Sequence, residues 1–175
     1  MNASALDDIR ARQAALRTEY RDSPERALTP LAAHGESTDA EPAFTVTQWS
    51  GPARTGLHRA TGGSGDDACS GNILLEAVLA CAGVTLRSAA AAAGVTVRSV
   101  VGDASATFDA RGTLGLDRTV PIGVQDLAIE FALDADLTDE QLERLGRTVE
   151  RYCVVGQSLA NPPTVTIRRA NPQPS

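Results

Sequence analysis

Between Asn72 and Ala93 the chain carries only two charges, Glu76 and Arg87, in a run rich in Leu and Ala. Ser70 can cap a helix start just before this run, and Gly94 is a stop signal just after it. A helix drawn through the run is apolar on every side. Such a helix is buried, so the rest of the chain has to cover it. The longest apolar stretch, Ile73 to Gly83, contains Glu76 and is followed by Arg87. It therefore suits a protein core better than a lipid bilayer, and no membrane association is expected. Cys81 falls near the middle of this core helix.

The segments around it supply strands and one further helix. Phe44 to Trp49 alternates in part and reads as a strand that Ser50-Gly51-Pro52 ends. Val95 to Phe108, rich in Val and Thr, reads as a long strand. Ile122 to Leu133 reads as another, with Val124, Leu127, Ile129, Phe131 and Leu133 mostly in alternation. Thr138-Asp139-Glu140-Gln141 has the form of a capping box and starts a helix. Leu142, Leu145 and Val149 form its apolar stripe, and Cys153 returns to the same side. Thr164 to Arg168 alternates once more as a last strand. This order, with no internal repeat, makes the chain an α+β protein.

Upstream, Ala3 to Tyr20 is expected to be a surface helix. Leu6, Ile9, Leu16 and Tyr20 share a face that Gln13 interrupts, with Asp7, Asp8 and Glu19 opposite. Asp22 to Pro42, with its prolines, Gly35 and Ser37, reads as an irregular arm. The expected division is an arm over 1–42, a domain over 43–170 and a frayed tail over 171–175. Met1 to Arg12 lacks an apolar run of the signal-peptide kind, so a reduced, cytoplasmic protein is expected.

Composition removes several function classes. The 16 basic residues are all Arg and stand against 22 acidic ones, for a net charge of −6. Nucleic-acid binding and polybasic membrane contact both need the opposite balance. Only 3% of residues are aromatic, which leaves no stacking platform for bases. The Gly-rich loop Ala60 to Asp67 lacks the Lys-Ser/Thr ending of a phosphate cradle. With two histidines, His34 and His58, and no paired CxxC, a structural metal site is not expected.

The remaining chemistry lies in three cysteines, Cys69, Cys81 and Cys153. A buried cysteine is most often a small, inert packing residue. Here, however, one cysteine sits on each of two helices that should pack on the same core, so the two thiols can meet. A thiol becomes a nucleophile when a nearby cation or helix N-terminus stabilises its thiolate. Arg54, Arg59, Arg87 and Arg151 are the candidate cations. Arg87 lies about 240° round the helix from Cys81, and Glu76 about 140° away, where it could orient an Arg or reach across a dimer. Cys69, just ahead of the core helix, would feel the helix dipole, and a redox sensor using it is a further option.

The segment Thr61-Gly62-Gly63, then Cys69-Ser70-Gly71-Asn72 through Leu86, resembles the central helix of the OsmC/Ohr family, the osmotically induced and organic-hydroperoxide-resistance proteins. Phe108 to Gly115 and Pro121-Ile122-Gly123 resemble the strands and turn that follow it. Glu150 to Val155 with Pro162-Pro163 resembles the family's second-cysteine segment, and the likeness runs from about Phe44 to Arg169. Ala3 to Tyr20 resembles the N-terminal helical arm of an OsmC-like subgroup.

The resemblance implies an intertwined homodimer with antiparallel sheets wrapped around central helices and active sites at the dimer interface. It implies that Cys81 is peroxidatic and Cys153 resolving, that a small apolar hydroperoxide is the substrate, and that a dithiol restores the enzyme without any cofactor. In the peroxidase branch a Glu stands ten residues before the first cysteine; here that position is Gly71. That branch also carries an Arg in the Gly-rich loop; here Arg59 is the nearest upstream. The alternative is a non-catalytic OsmC-like dimer that binds a small ligand or responds to stress.

Overall fold

The computed structural model describes residues 3–38 and 41–170, with side chains from Asp8 onward. The expected tail lies outside the described residues, as do the side chains of Leu6 and Asp7. The chain forms two compact units that divide between Ala33 and His34. The first contains helix α1 (Ala3–Asp22) and a 3-10 turn, Pro24–Ala27. The turn folds back on the helix end through the Ser23 amide, which donates to Glu19 O at 2.8 Å, and an Arg26–Glu19 ion pair at 2.9 Å.

The second unit begins with a three-stranded antiparallel sheet of β1 (His34–Glu36), β2 (Phe44–Gln48) and β3 (Gly51–Thr55), in that order. Two of these strands go beyond the sequence expectation. β1 is a short strand inside the arm read as irregular. β3 starts at the Gly51-Pro52 pair read as a terminator. The chain reverses through Trp49-Ser50, with Gly51 at φ 123°, a region that favours glycine. Pro52 is tolerated because β3 is an edge strand, where a missing N–H costs no ladder bond. None of the sheet's residues is buried.

Helix α2 (Ser70–Ala92) follows. Cys69, rather than Ser70, occupies its N-cap position, and no side chain caps it. Its C-terminus closes as a Schellman motif: the Val95 amide donates to Ala90 O at 2.9 Å, and Gly94 takes φ 76°. Strand β4 (Ser99–Thr107), the short turn of helix α3 (Ala110–Thr113) and strand β5 (Gln125–Asp134) come next. Helices α4 (Asp139–Tyr152) and α5 (Val154–Gln157) then lead to β6 (Thr164–Arg169).

β4, β5 and β6 form the second sheet in sequence order. It is mixed rather than purely antiparallel: β4 runs antiparallel to β5, while α4 crosses back to place β6 parallel to β5. The β4–β5 register shifts between Ser105 and Thr107, beside Asp126 at φ 53°. An extra residue on β5 at this point is a bulge, where an Asp can adopt the left-handed region. Gly102 faces Phe131 across the pair. A Cβ at Gly102 would come within 2.5 Å of the ring, so glycine here makes room for the aromatic.

The core lies where α2 and α4 cover this sheet. It comprises Val78, Ala82, Leu86 and Ala90 from α2, Ile129, Phe131 and Leu133 from β5, and Leu142, Leu145, Val149 and Cys153 at and after α4. One expectation is corrected. Within one chain α2 is not buried all round: only 22% of its most apolar stretch is covered. Of its buried positions, Val78, Ala82, Leu86 and Ala90 recur every four residues and form a single face, which Ala91 joins at the C-terminal end. Val84 on another face is 71% exposed, and Ala77 and Ala80 are exposed with it.

Candidate active site

The capping box expected at Thr138 is present. The Gln141 amide donates to the Thr138 hydroxyl oxygen, and the Thr138 amide donates to Gln141 Oε1 at 2.8 Å. From that start, α4 keeps Leu142, Leu145, Gly146 and Val149 inward. The next inward position is Cys153, immediately after the helix, with 1% of its surface exposed. Cys153 ends α4 through its amide, which donates to Val149 O at 2.9 Å. It also begins α5: its sulfur accepts the Gly156 amide at 3.4 Å. The turn closes tightly over the sulfur because residue 156 is glycine; a Cβ there would meet both Cys153 Sγ and Pro163 at 3.3 Å or less.

This turn presses Cys153 against α2. Its sulfur lies 4.0 Å from Val78 O, and Val78 is less than one turn before Cys81. The thiols of Cys81 and Cys153 are near enough that each alters the ionisation of the other. Cys81 is half-buried and Cys153 buried, and neither is bridged. The two helices thus bring together thiols from opposite ends of the domain.

The two sulfurs have opposite acidity. Burial alone would push the Cys81 thiol up. Against it act the Val155 amide, the Cys153 thiol, the Val154 amide and the Thr85 hydroxyl, and together they hold the Cys81 thiol below its ordinary value. Burial pushes the Cys153 thiol up. The Gly156 amide offsets part of that rise, and the hydrogen bond and charge of Cys81 add to it. Of the two thiols, Cys81 is therefore the one that ionises more readily.

The candidate cations have other partners. Arg54 on β3 pairs with Asp67 and, at 3.3 Å, with Glu41. Arg59 lies in the turn Arg59–Thr61 and packs along Gly65. Arg151 sits 5.6 Å from the Tyr152 ring centroid. Glu76 is exposed and Arg87 half-buried on α2. Cys69 is half-buried ahead of α2. The leading contributors to the acidity of Cys81 are instead backbone amides, a thiol and a hydroxyl.

The sequence reading missed the Val154 and Val155 amides, because helix α5 restarts at a sulfur-capped turn that no side-chain pattern marks. It also missed Thr85, which does have a signal: it stands four residues after Cys81, the spacing of neighbours on one helix face. Among the described residues no group of three or more His, Cys, Asp or Glu side chains forms a metal-ligand set.

A cavity of about 830 Å3 opens at the N-terminal ends of β5 and β6, floored by Leu74, Leu127 and Leu159 and edged by Asp126 and Asn161. Leu74 is seven residues before Cys81, two turns along the same helix.

No curated protein sequence matches the chain. Solved structures share its fold at low identity. An OsmC-like protein from Vibrio cholerae is 13% identical with a TM-score of 0.65, over 81% of this chain and 100% of that one. An organic hydroperoxide resistance protein from Elizabethkingia anophelis is 14% identical with a TM-score of 0.63, over 82% and 98%. The organic hydroperoxide resistance protein OsmC from Legionella pneumophila is 12% identical with a TM-score of 0.59, over 82% and 100%. The family model described as OsmC-like protein matches residues 63–168, the stretch that carries both paired thiols, and the chain belongs to that family.

Proposed function

We propose that the protein reduces organic hydroperoxides with its cysteine pair, Cys81 being peroxidatic and Cys153 resolving. The observation that carries this reading is the placement of the Cys153 sulfur against the turn of α2 that leads to Cys81, with the Cys81 thiol shifted toward ionisation and the Cys153 thiol away from it. The Cys81 thiolate attacks the O–O bond and takes the distal oxygen as a sulfenic acid, and the other oxygen leaves as the alcohol. The Cys153 thiol then attacks the sulfenic sulfur, forming the disulfide and releasing water. A dithiol reductant restores both thiols by exchange and is itself oxidised to a disulfide. The neighbours named organic hydroperoxide resistance proteins support the substrate class. The residues call for no metal, haem or flavin in these steps.

The same reading includes a homodimer in a reducing, cytoplasmic setting. The apolar face of α2 that its own chain leaves open supports self-association. A partner chain packed there is also the available source of a cation near Cys81, for which Arg54, Arg59, Arg151 and an orienting Glu76 stand as candidates. The cavity beside Leu74 favours a second reading, a non-catalytic dimer that binds a small apolar ligand or acts in a stress response, with both cysteines as packing residues.

Consumption of tert-butyl hydroperoxide in the presence of a dithiol separates the two readings. Turnover by the wild type that Cys81→Ser abolishes, and that Cys153→Ser converts to inactivation by over-oxidation, is the expected result. Wild-type turnover no faster than that of Cys81→Ser removes the peroxidase reading.

A further inference from the structure

Thr85 is the one hydroxyl residue between Ser70 and Ser88, in a stretch otherwise given over to packing residues. It follows Cys81 by four residues, so it lies one turn further on and about 40° round the helix. Side chains on a helix lean toward its N-terminus, which lays Thr85 over the turn that holds Cys81. Its Oγ1 is 2.8 Å from Cys81 O and half-buried. A threonine hydroxyl carries one hydrogen and two lone pairs, so it donates to one acceptor at a time. In the neutral site that acceptor is the Cys81 carbonyl, which leaves the oxygen able to receive the thiol hydrogen.

We propose that Thr85 is a positioning residue for the reacting sulfur: on ionisation of Cys81 its hydroxyl hydrogen turns from the Cys81 carbonyl to the thiolate. This rests on Cys81 being the reactive thiol of the proposed function. No bond to carbon changes. The thiol proton leaves to solvent, and the O–H rotates about the Cβ–Oγ1 bond to meet the new charge. The Cys81 carbonyl keeps its helical partner through this rotation, since the Thr85 amide is four residues on. The hydroxyl is one of the groups that hold the Cys81 pKa below its ordinary value, which accords with this role. The arrangement gives the thiolate a donor from its own helix, in addition to the two amides of the α5 turn.

The test is the pH dependence of Cys81 alkylation by iodoacetamide, followed by mass spectrometry in a Cys69→Ser protein so that Cys81 is the one thiol in its tryptic peptide, with Cys153 in another. Thr85→Val, which keeps the shape and removes the donor, is expected to move the profile to higher pH and slow Cys81 alkylation about fivefold at pH 7. The alkaline plateau is expected to match the parent, because both thiols are fully ionised there. Thr85→Ser is expected to follow the parent profile.

A Thr85→Val profile that superimposes on the parent overturns the proposal. So does a Thr85→Ser protein as slow as Thr85→Val. Should circular dichroism show Thr85→Val unfolded, Thr85→Ala is read by the same criteria. No peroxide enters this assay. A protein that shows the Thr85 dependence but consumes no hydroperoxide keeps the donor role and loses the peroxidase reading. A peroxidase whose Cys81 profile ignores Thr85 does the reverse.

Discussion

Helices α2 and α4 cover the same sheet, yet they treat their outer faces differently. α4 turns Leu142, Leu145 and Val149 inward and sets Glu143, Arg144, Arg147 and Arg151 in solvent. It is complete within one chain. α2 also buries one face, but its other sides carry Ala77, Ala80 and Val84 where α4 has charges. Amphipathic patterning marks a helix that needs one neighbour; uniform apolarity marks one that needs neighbours all round. The lesson concerns function as well as packing, because Cys81 stands on the incomplete helix and Cys153 at the end of the complete one.

The largest expected effect breaks this contrast directly. Light scattering is expected to give twice the chain mass for the wild type. Val84→Glu or Ala80→Glu, placing a charge on the open face of α2, is expected to yield monomer. Arg147→Glu on the outer face of α4 is expected to leave the mass unchanged. If the α2 variants keep the wild-type mass, the open face does not mediate association.

The inward faces should respond alike. Leu86 on α2 and Leu142 on α4 are both nearly inaccessible and belong to one core. Truncating either to Ala removes buried methyl groups and leaves a cavity, at a cost of about 2–5 kcal/mol in chemical denaturation. A cost under about 1 kcal/mol at Leu86 would mean that α2 is less firmly seated than α4.

The same contrast explains what could be read in advance. The helix from Thr138 was legible down to its cap, since a capping box and a stripe of Leu142, Leu145 and Val149 are local signals. The two cysteines were legible as neighbours because each sits on a segment the sequence marks as a packed helix, Cys81 by uniform apolarity and Cys153 by the stripe that precedes it. Strand β3 was not, because Gly51-Pro52 is punctuation in most settings, and only the edge position, a tertiary fact, makes Pro52 acceptable. The extent of α2 was legible but its covering was not: an apolar sequence says that a face needs burying, not whether the same chain does it. The source of thiolate stabilisation was hidden for a related reason. Backbone amides carry no residue type, so a sequence marks arginines as candidates and leaves the Val154 and Val155 amides, which lower the Cys81 pKa, without a sign.

A smaller effect separates the two thiols. Since Cys81 is held below the ordinary thiol range and Cys153 above it, iodoacetamide at pH 7 is expected to label Cys81 at least about tenfold faster than Cys153. The sign follows from the charged form: lowering favours thiolate at a given pH, and raising disfavours it. In Cys81→Ser the charge and hydrogen bond that help push Cys153 up are gone, so its thiol is expected to ionise at lower pH than in the wild type, while burial still holds it up. Equal labelling rates in the folded wild type would remove the division of labour between them.

The smallest effect concerns the cap that fixes where α4 begins and hence where Cys153 ends up. Thr138→Ala deletes the acceptor for the Gln141 amide and is expected to cost about 1 kcal/mol. Asp139 and Glu140 in the first turn still favour the helix dipole, so the helix start should fray rather than move. Cys153 lies four turns away, held by Val149 O, the Gly156 amide and the wall of α2. Stability is therefore expected to fall while Cys81 and Cys153 labelling rates stay at wild-type values. A change in the labelling ratio with Thr138→Ala would show that the position of Cys153 depends on the whole length of α4, and the completeness argued for that helix would have to be extended to its far end.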